Sequence, residues 1–478
     1  MTNRSTTVWA FAITSVALLM VVLDNLIVTT ALPVIGRQLD AGLPALEWTV
    51  NAYTLTFAVL LLTGAALGDR FGRRRVFVIG LAIFTGASAA AALSPNIETL
   101  LIARAIQGLG GAIIVPLTLT ILSGSVPPER RGVALGAWGA VGGLAVALGP
   151  IVGGAIVEGT GSWNGIFWLN VPIGIVLLPL AWFRLRESHG PYDRLDLPGL
   201  ALASVGTFAL VWAFIQGNEL GWGSLTILGS IAIGIVALIG FALWERRAPA
   251  PMLPIRFFQN RAFTLANVAS LLMYFGMFGS VFLLSQFLQL IQGYSPLQAG
   301  LRVLPWTLAP MFVAPIAGAF SDKIGGGLIM GVGLTLQAIG LIWLGFITTP
   351  TVEYGMLIIP FIVSGIGMGL FFAPVANVVL SAVKPEEEGQ ASGANNAIRE
   401  LGGVFGVAVL ASVFTKFGAY PPAPAQEFVD GLRPAIIIGG ILVALGAAAS
   451  FAIPRTRRAA ATSLADERES LAGSPAAG

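Results

Sequence analysis

Long apolar runs broken by few charges recur along the whole chain, near residues 8–35, 44–67, 76–94, 97–122, 133–157, 165–183, 198–217, 224–244, 262–291, 296–320, 326–347, 355–382, 396–415 and 434–454. A helix needs about 20 apolar residues to cross a bilayer. The pattern therefore predicts an all-α membrane protein with fourteen transmembrane helices joined by short loops, and leaves no room for a large soluble domain. The first run has only Arg4 as a positive lead and no small-residue cleavage site before Asp24, so it reads as a retained signal anchor. The stretch 455–478 is built of small and charged residues that cannot form a core, and a disordered cytoplasmic tail is expected there.

Charge placement sets the orientation. With the N-terminus in the cytoplasm, inner loops and tails hold twenty of the 26 Lys and Arg residues, and outer loops hold only Arg37, Lys416 and Arg433. The positive-inside rule then puts both termini on the cytoplasmic side. The remaining three, Arg104, Arg302 and Arg399, fall within the apolar runs.

Composition narrows the chemistry. Of 478 residues 56% are hydrophobic and 10% charged, against about 25% charged in an ordinary soluble domain. There is no cysteine and one histidine, His189. Cysteine nucleophiles, disulfides, Cys-type zinc sites and any site needing two imidazoles are excluded, and no motif supports a carboxylate metal site. His189, in an inner loop, reads as solvated. The formal charge of +3 is too slight to suggest a nucleic-acid partner. No GxxxxGK[ST] loop and no catalytic constellation occurs, which argues against ATP drive and against an enzyme. The expected partners are the lipid bilayer, a small-molecule substrate and ions moving down a gradient, with no cofactor.

An internal repeat is visible. Leu67 to Arg75 reads LGDRFGRRR and Ala319 to Gly327 reads AFSDKIGGG, each with a small residue, Asp, Arg or Lys, any residue and Gly. Asp69 and Asp322 are roughly 250 residues apart, and removing two helices with their loops, about 60 residues, leaves about the length of six spans. This predicts a six-helix half over 1–190, two inserted helices over 191–261 and a second six-helix half over 262–454, with a midplane cavity between the halves.

Through these motifs the chain resembles the major facilitator superfamily, and within it the fourteen-span drug:proton antiporter family. Leu23-Asp24-Asn25 followed by Thr30-Ala31-Leu32-Pro33 is similar to that family's first-helix signature. Leu67 to Arg75 is similar to the superfamily's loop motif, with Ala65 where the motif starts with glycine and Gly64 one place early. Arg104 to Gly110 (RAIQGLG) and Gly149-Pro150-Ile151-Val152-Gly153-Gly154 resemble the fourth-span and antiporter motifs. Ile166 to Gly174 (IFWLNVPIG) resembles the start of the sixth span, although Ser162-Trp163-Asn164-Gly165 lacks the usual Trp-Arg-Trp lead. The resemblance implies a major facilitator fold in a bacterial inner membrane, monomeric, exporting lipophilic or cationic drugs in exchange for protons.

The residues also speak for themselves. An aspartate at mid-span costs about 2.5 to 3.5 kcal/mol, so Asp24 requires a partner, a wet cavity or a proton. Helix rise puts Asp24 and Arg104 in the same outer half of the membrane, close enough to interact; the bland alternative is an arginine bonded only to backbone carbonyls. Asp69 with Arg70, Gly72 and Arg73, and Asp322 with Lys323, read as a cytoplasmic gate, or as topology determinants alone. Gly139/Gly143 and Gly149/Gly153 permit close helix approach, and Pro150 frees a carbonyl. Arg399 and Glu400 read as a mutual ion pair, with substrate contact by Arg399 as the alternative. Asn25, Trp48, Asn51, Tyr53, Gln107, Tyr274, Gln286 and Asn377 supply the polar and aromatic edges expected in part to line the cavity. Two further readings stay open: an exporter dedicated to one endogenous metabolite or antibiotic, and a membrane receptor or scaffold, which has no use for the duplicated loop.

Overall fold

Apolar runs in a bilayer have no water to satisfy their N–H and C=O groups, and they close those bonds within helices. A computed structural model of the protein describes residues 3–126, 131–190, 195–249, 251–384 and 387–454; the expected tail at 455–478 lies outside these, as do the side chains of Asp322 and Lys323. The described chain runs through α1 (Asn3–Gln38), α2 (Leu43–Phe71), α3 (Arg73–Ala92), α4 (Ile97–Ser125), α5 (Arg131–Thr160), α6 (Asn164–Trp168) and α7 (Asn170–Arg184). It continues with α8 (Leu197–Leu220), α9 (Leu225–Glu245), α10 (Arg261–Gln286), α11 (Pro296–Ile324), α12 (Gly326–Ile347), α13 (Tyr354–Ser381), α14 (Glu388–Phe417) and α15 (Ala425–Phe451). Because α6 and α7 are nearly continuous, together they make one crossing, and 14 helical segments are long and apolar enough to span a membrane.

Two helices begin earlier than the apolar pattern predicts. α14 starts at Glu388 instead of 396, because its polar first turns are held by tertiary contacts: buried Asn395 donates to Asn267 Oδ1 (3.1 Å) and Ser270 Oγ (2.9 Å) on α10. α15 starts at Ala425 instead of 434 and carries Pro434 inside it. Its first turns bury Phe428, whose ring lies 4.7 Å from that of Phe414.

Helix pairing repeats along the chain. α1 packs on α4, α5 and α7, α2 on α4, and α3 on α4 and α7. In the same order α10 packs on α13, α14 and α15, α11 on α13, and α12 on α13 and α15. One contact repeats at residue level: Gly108 of α4 abuts the Tyr53 carbonyl of α2, and Gly365 of α13 abuts the Trp306 carbonyl of α11. Tyr53 precedes Asp69 by the same sixteen positions that separate Trp306 from Asp322. Across the two sets α5 packs on α11 and α2 on α14, a reciprocal exchange. The α8–α9 hairpin rests against α14 and α2.

Candidate functional site

A buried polar assembly is centred on Asp24 in α1, 2% exposed, and Arg104 in α4, 0% exposed. Arg104 Nη1 donates to Asp24 Oδ2 at 2.6 Å and to Gln107 Oε1 at 2.7 Å, while Nε donates to the Thr49 carbonyl at 3.1 Å. Asp24 Oδ1 accepts from Gln107 Nε2 (2.8 Å) and from Asn170 Nδ2 at the start of α7 (2.7 Å). Gln107 Nε2 also reaches Ser88 Oγ on α3 at 2.9 Å. The guanidinium stands 4.3 Å from the centre of the Tyr53 ring, a cation–π contact that covers its face. Five helices thus meet in one network, α4 and α7 on the carboxylate of α1 directly and α2 and α3 through Arg104 and Gln107, and both expected partners of Arg104, the acid and a backbone carbonyl, are engaged at once.

Asp24 Oδ1 accepts two N–H bonds and Oδ2 one, so three of the four lone-pair sites of the carboxylate are engaged. Arg104 Nη2 has no partner and is the guanidinium edge free to re-aim.

At the inner end of α2, Arg73 Nε donates to Asp69 Oδ1 at 2.8 Å. The strap after α7 lies over this turn: Gly190 N donates to the Asp69 carbonyl (3.0 Å), Arg73 N to the Ser188 carbonyl (2.8 Å), and Arg74 N to Glu187 Oε1 (2.9 Å). Gly72 turns the chain at φ 104°, a backbone region closed to most side chains, with the Glu187 carboxylate packed against it. Arg70 stands 5.0 Å from the Phe71 ring.

The glycine-rich stretch of α5 lies where the two helix sets meet. Gly149 faces Leu26 and Gly153 faces Ile27 of α1, whereas Gly154 lies against Leu297 of α11, where an added methyl would come 2.5 Å from the Pro296 carbonyl oxygen. Gly300 of α11 abuts the Pro150 carbonyl in return. Nearby, Ser285 Oγ donates to the Thr29 carbonyl (3.0 Å) and Gln289 Nε2 to the Thr30 carbonyl (2.9 Å). Further in, a side chain at Gly139 or Gly143 would meet nothing within 4 Å. The two sets therefore touch through the end of α5 that the arginine distribution puts outside.

Residues 14–407 and 266–475 match the family model described as Major Facilitator Superfamily. The chain belongs to the Major Facilitator Superfamily. Relatives include the multidrug resistance protein Stp of Mycobacterium tuberculosis, 33% identical over 446 residues, 90% of this chain and 82% of the relative. The tetracenomycin C resistance and export protein of Streptomyces glaucescens is 35% identical over 400 residues, 83% of this chain and 74% of the relative. The cephamycin export protein CmcT of Amycolatopsis lactamdurans is 36% identical over 420 residues, 86% of each chain. Among solved structures, a bacterial homologue of the lysosomal transporter Spinster, inward-facing and unoccupied, shares the fold with a TM-score of 0.66 at 16% identity, covering 93% of this chain and 96% of that one. This facilitator is a multi-pass transporter of the bacterial inner membrane and not an enzyme.

Other polar residues of the facilitator are distributed as follows. Asn51 is fully buried and neither amide atom has a partner; Asn25 Oδ1 is likewise buried and unpartnered. Tyr274 is buried, stacks on Phe278 at 5.5 Å and lies 5.3 Å beneath the Arg399 guanidinium. Arg399 and Glu400 approach only to 4.0 Å, leaving Arg399 Nε and Glu400 Oε2 without hydrogen bonds. Gln286 is tied to the outer loop by the Tyr420 hydroxyl at 2.6 Å. Trp48 turns towards the hairpin, its ring 5.6 Å from that of Phe208 in α8, and Asn377 is exposed.

Sequence reasoning did not single out Glu47, which is 2% exposed with Oε2 unpartnered, one helical turn from Asn51. It falls inside the second apolar run, 44–67, but close to its outer end, where a charged side chain can reach the interface and asks for no partner. Ser88 and Asn170 carry no charge and leave no hydropathy signal; only their position around Asp24 marks them.

Proposed function

We propose that the protein is a proton-coupled antiporter that exports lipophilic, cationic or amphiphilic small molecules by alternating access between two six-helix halves, α1–α7 and α10–α15, with no cofactor beyond the proton gradient. The observation that carries the reading is the buried Asp24, held by Arg104, Gln107 and Asn170 from two other helices. Proton uptake there removes the charge held by Arg104 and Gln107 of α4 and Asn170 of α7, and the weakened bonds let those helices move against α1. In this way a proton is exchanged for a change of packing. The acid Glu400 and the aromatic rings of Tyr274, Phe278 and Phe372 supply a carboxyl group and π-faces suited to a lipophilic cation. The Asp69–Arg73 pair and its strap act as the cytoplasmic latch.

The named functions of these relatives, multidrug resistance in one and export of a single antibiotic in others, favour efflux and keep a second reading alive: an exporter dedicated to one metabolite. The test is reconstitution in liposomes under an imposed pH gradient, with a panel of lipophilic cations, comparing the intact protein with Asp24→Asn at matched insertion. Substrate-triggered proton flux that disappears in the variant is expected. Triggered flux unchanged by the variant would remove Asp24 from the coupling path, and silence towards every cation would favour the dedicated exporter.

A further inference from the structure

The inserted hairpin carries an acid pair that the transport reading does not use. Asp196 caps α8, its Oδ1 accepting from Gly199 N (2.9 Å) and from Trp244 Nε1 (2.7 Å). Glu245, the last residue of α9 and 3% exposed, accepts at Oε2 from Leu253 N (3.0 Å). The two remaining oxygens, Asp196 Oδ2 and Glu245 Oε1, are buried and meet no N–H or O–H donor. They face one another over Gly199, where an added methyl would touch both oxygens. Ionised carboxylates offer only acceptors, so two buried carboxyl groups turned on one point with no donor between them favour holding a proton.

We propose that Asp196 and Glu245 form a proton-binding site at the cytoplasmic base of the hairpin, one proton shared between the two carboxyl groups. Its output is the linker from α9 to α10. Leu253 N hangs on the Glu245 carboxyl, and the neighbouring Met252 sulfur accepts from the Thr63 hydroxyl of α2 at 3.6 Å. When the shared proton leaves, Glu245 ionises and becomes the stronger acceptor for Leu253 N, so the linker tightens on the hairpin. Among the described residues no cation is paired with either carboxyl group: Arg246 and Arg247 are exposed, Arg256 is paired with Glu387 at 2.5 Å, and on the packed helices α2 and α14 the inner charges Asp69 and Arg399 are paired with Arg73 and Glu400.

The experiment is hydrogen exchange of the linker around Leu253 in the full-length protein in lipid nanodiscs, corrected for intrinsic exchange, across the neutral pH range and without substrate. It reads the pair whether or not Asp24 couples transport. Protection of Leu253 N is expected to rise with pH across the midpoint, by at most about tenfold per pH unit, as release of one proton allows. Glu245→Gln donates an amide hydrogen bond to Asp196 and does not titrate, so protection no longer changes with pH; Asp196→Asn does the same from the other side and serves if the first variant fails to fold. Protection independent of pH in the unaltered protein, or an unchanged pH profile in either folded variant, overturns the proposal.

Discussion

Arg104 does three jobs with two nitrogens: Nε holds the Thr49 carbonyl, and Nη1 holds both Asp24 and Gln107. Lysine keeps the charge on a single nitrogen and cannot span both directions. Arg104→Lys is therefore expected to insert normally yet lose at least about tenfold in substrate-driven proton flux, since each hydrogen bond to a charged group is worth about 1.5 to 3 kcal/mol. Flux at the level of the unaltered protein would reduce Arg104 to a point charge. Asn170→Ala removes one of two donors to Asp24 Oδ1 and leaves Gln107 in place, so a smaller loss is expected, measured in the same liposomes. The centre of this network was legible in the sequence because a charge in an apolar run needs a reason. Its periphery was not: Ser88 and Asn170 are neutral, and reading their role requires knowing how α3 and α7 rotate about α1.

At the scale of helices, contact between α5 and α11 depends on the absence of side chains on both sides. Gly154 lies on the Leu297 backbone and Gly300 on the Pro150 carbonyl, so a β-branched side chain at either position forces the outer ends apart. Gly300→Val is expected to hinder outer closure as strongly as Gly154→Val, although only the second lies in a motif. Access of a membrane-impermeant thiol reagent to a single cysteine at Thr29 would rise in both; an unchanged rate would mean that the contact is incidental. Gly139→Val, with nothing within 4 Å, is the silent control. The latch makes a different demand. Asp69→Asn keeps the backbone bond from Gly190 N and loses the charge partner of Arg73. Transport is expected to fall at least about tenfold with unchanged insertion, whereas full activity would leave the arginines as topology determinants alone. Element boundaries were legible where apolar runs end abruptly, as at α12. They were misread at α14 and α15, where polar or proline-bearing turns are held in helical form by Asn395 and Phe428 through tertiary contacts no periodicity reports.

For the whole molecule, the repeat sets what movement is available. α2 packs on α14 and α5 on α11, and the α8–α9 hairpin leans on both α2 and α14, one helix from each set. A rigid rotation of one set against the other must therefore slide α8 over at least one neighbour, and it must open one end as it closes the other. The natural lack of cysteine makes this measurable, because introduced cysteines are the only labelling sites. A spin-label pair at Gly159 of α5 and Lys416 of α14 reports the outer ends, and a pair at Gly124 of α4 and Gly389 of α14 reports the inner ends; the three glycines have open space around them and Lys416 is exposed. Acidification and transported cation should shift populations in opposite senses, with the outer distance lengthening whenever the inner one shortens. Locking the Asp24 site with Asp24→Asn should fix the balance against pH while leaving the substrate response, because the proton no longer chooses between donor arrangements. If instead both distances move together, or pH still shifts the variant as it shifts the unaltered protein, rocking of two halves about a buried acid is the wrong description, and coupling must reside elsewhere, with Glu47 and Glu400 the next buried acids to test.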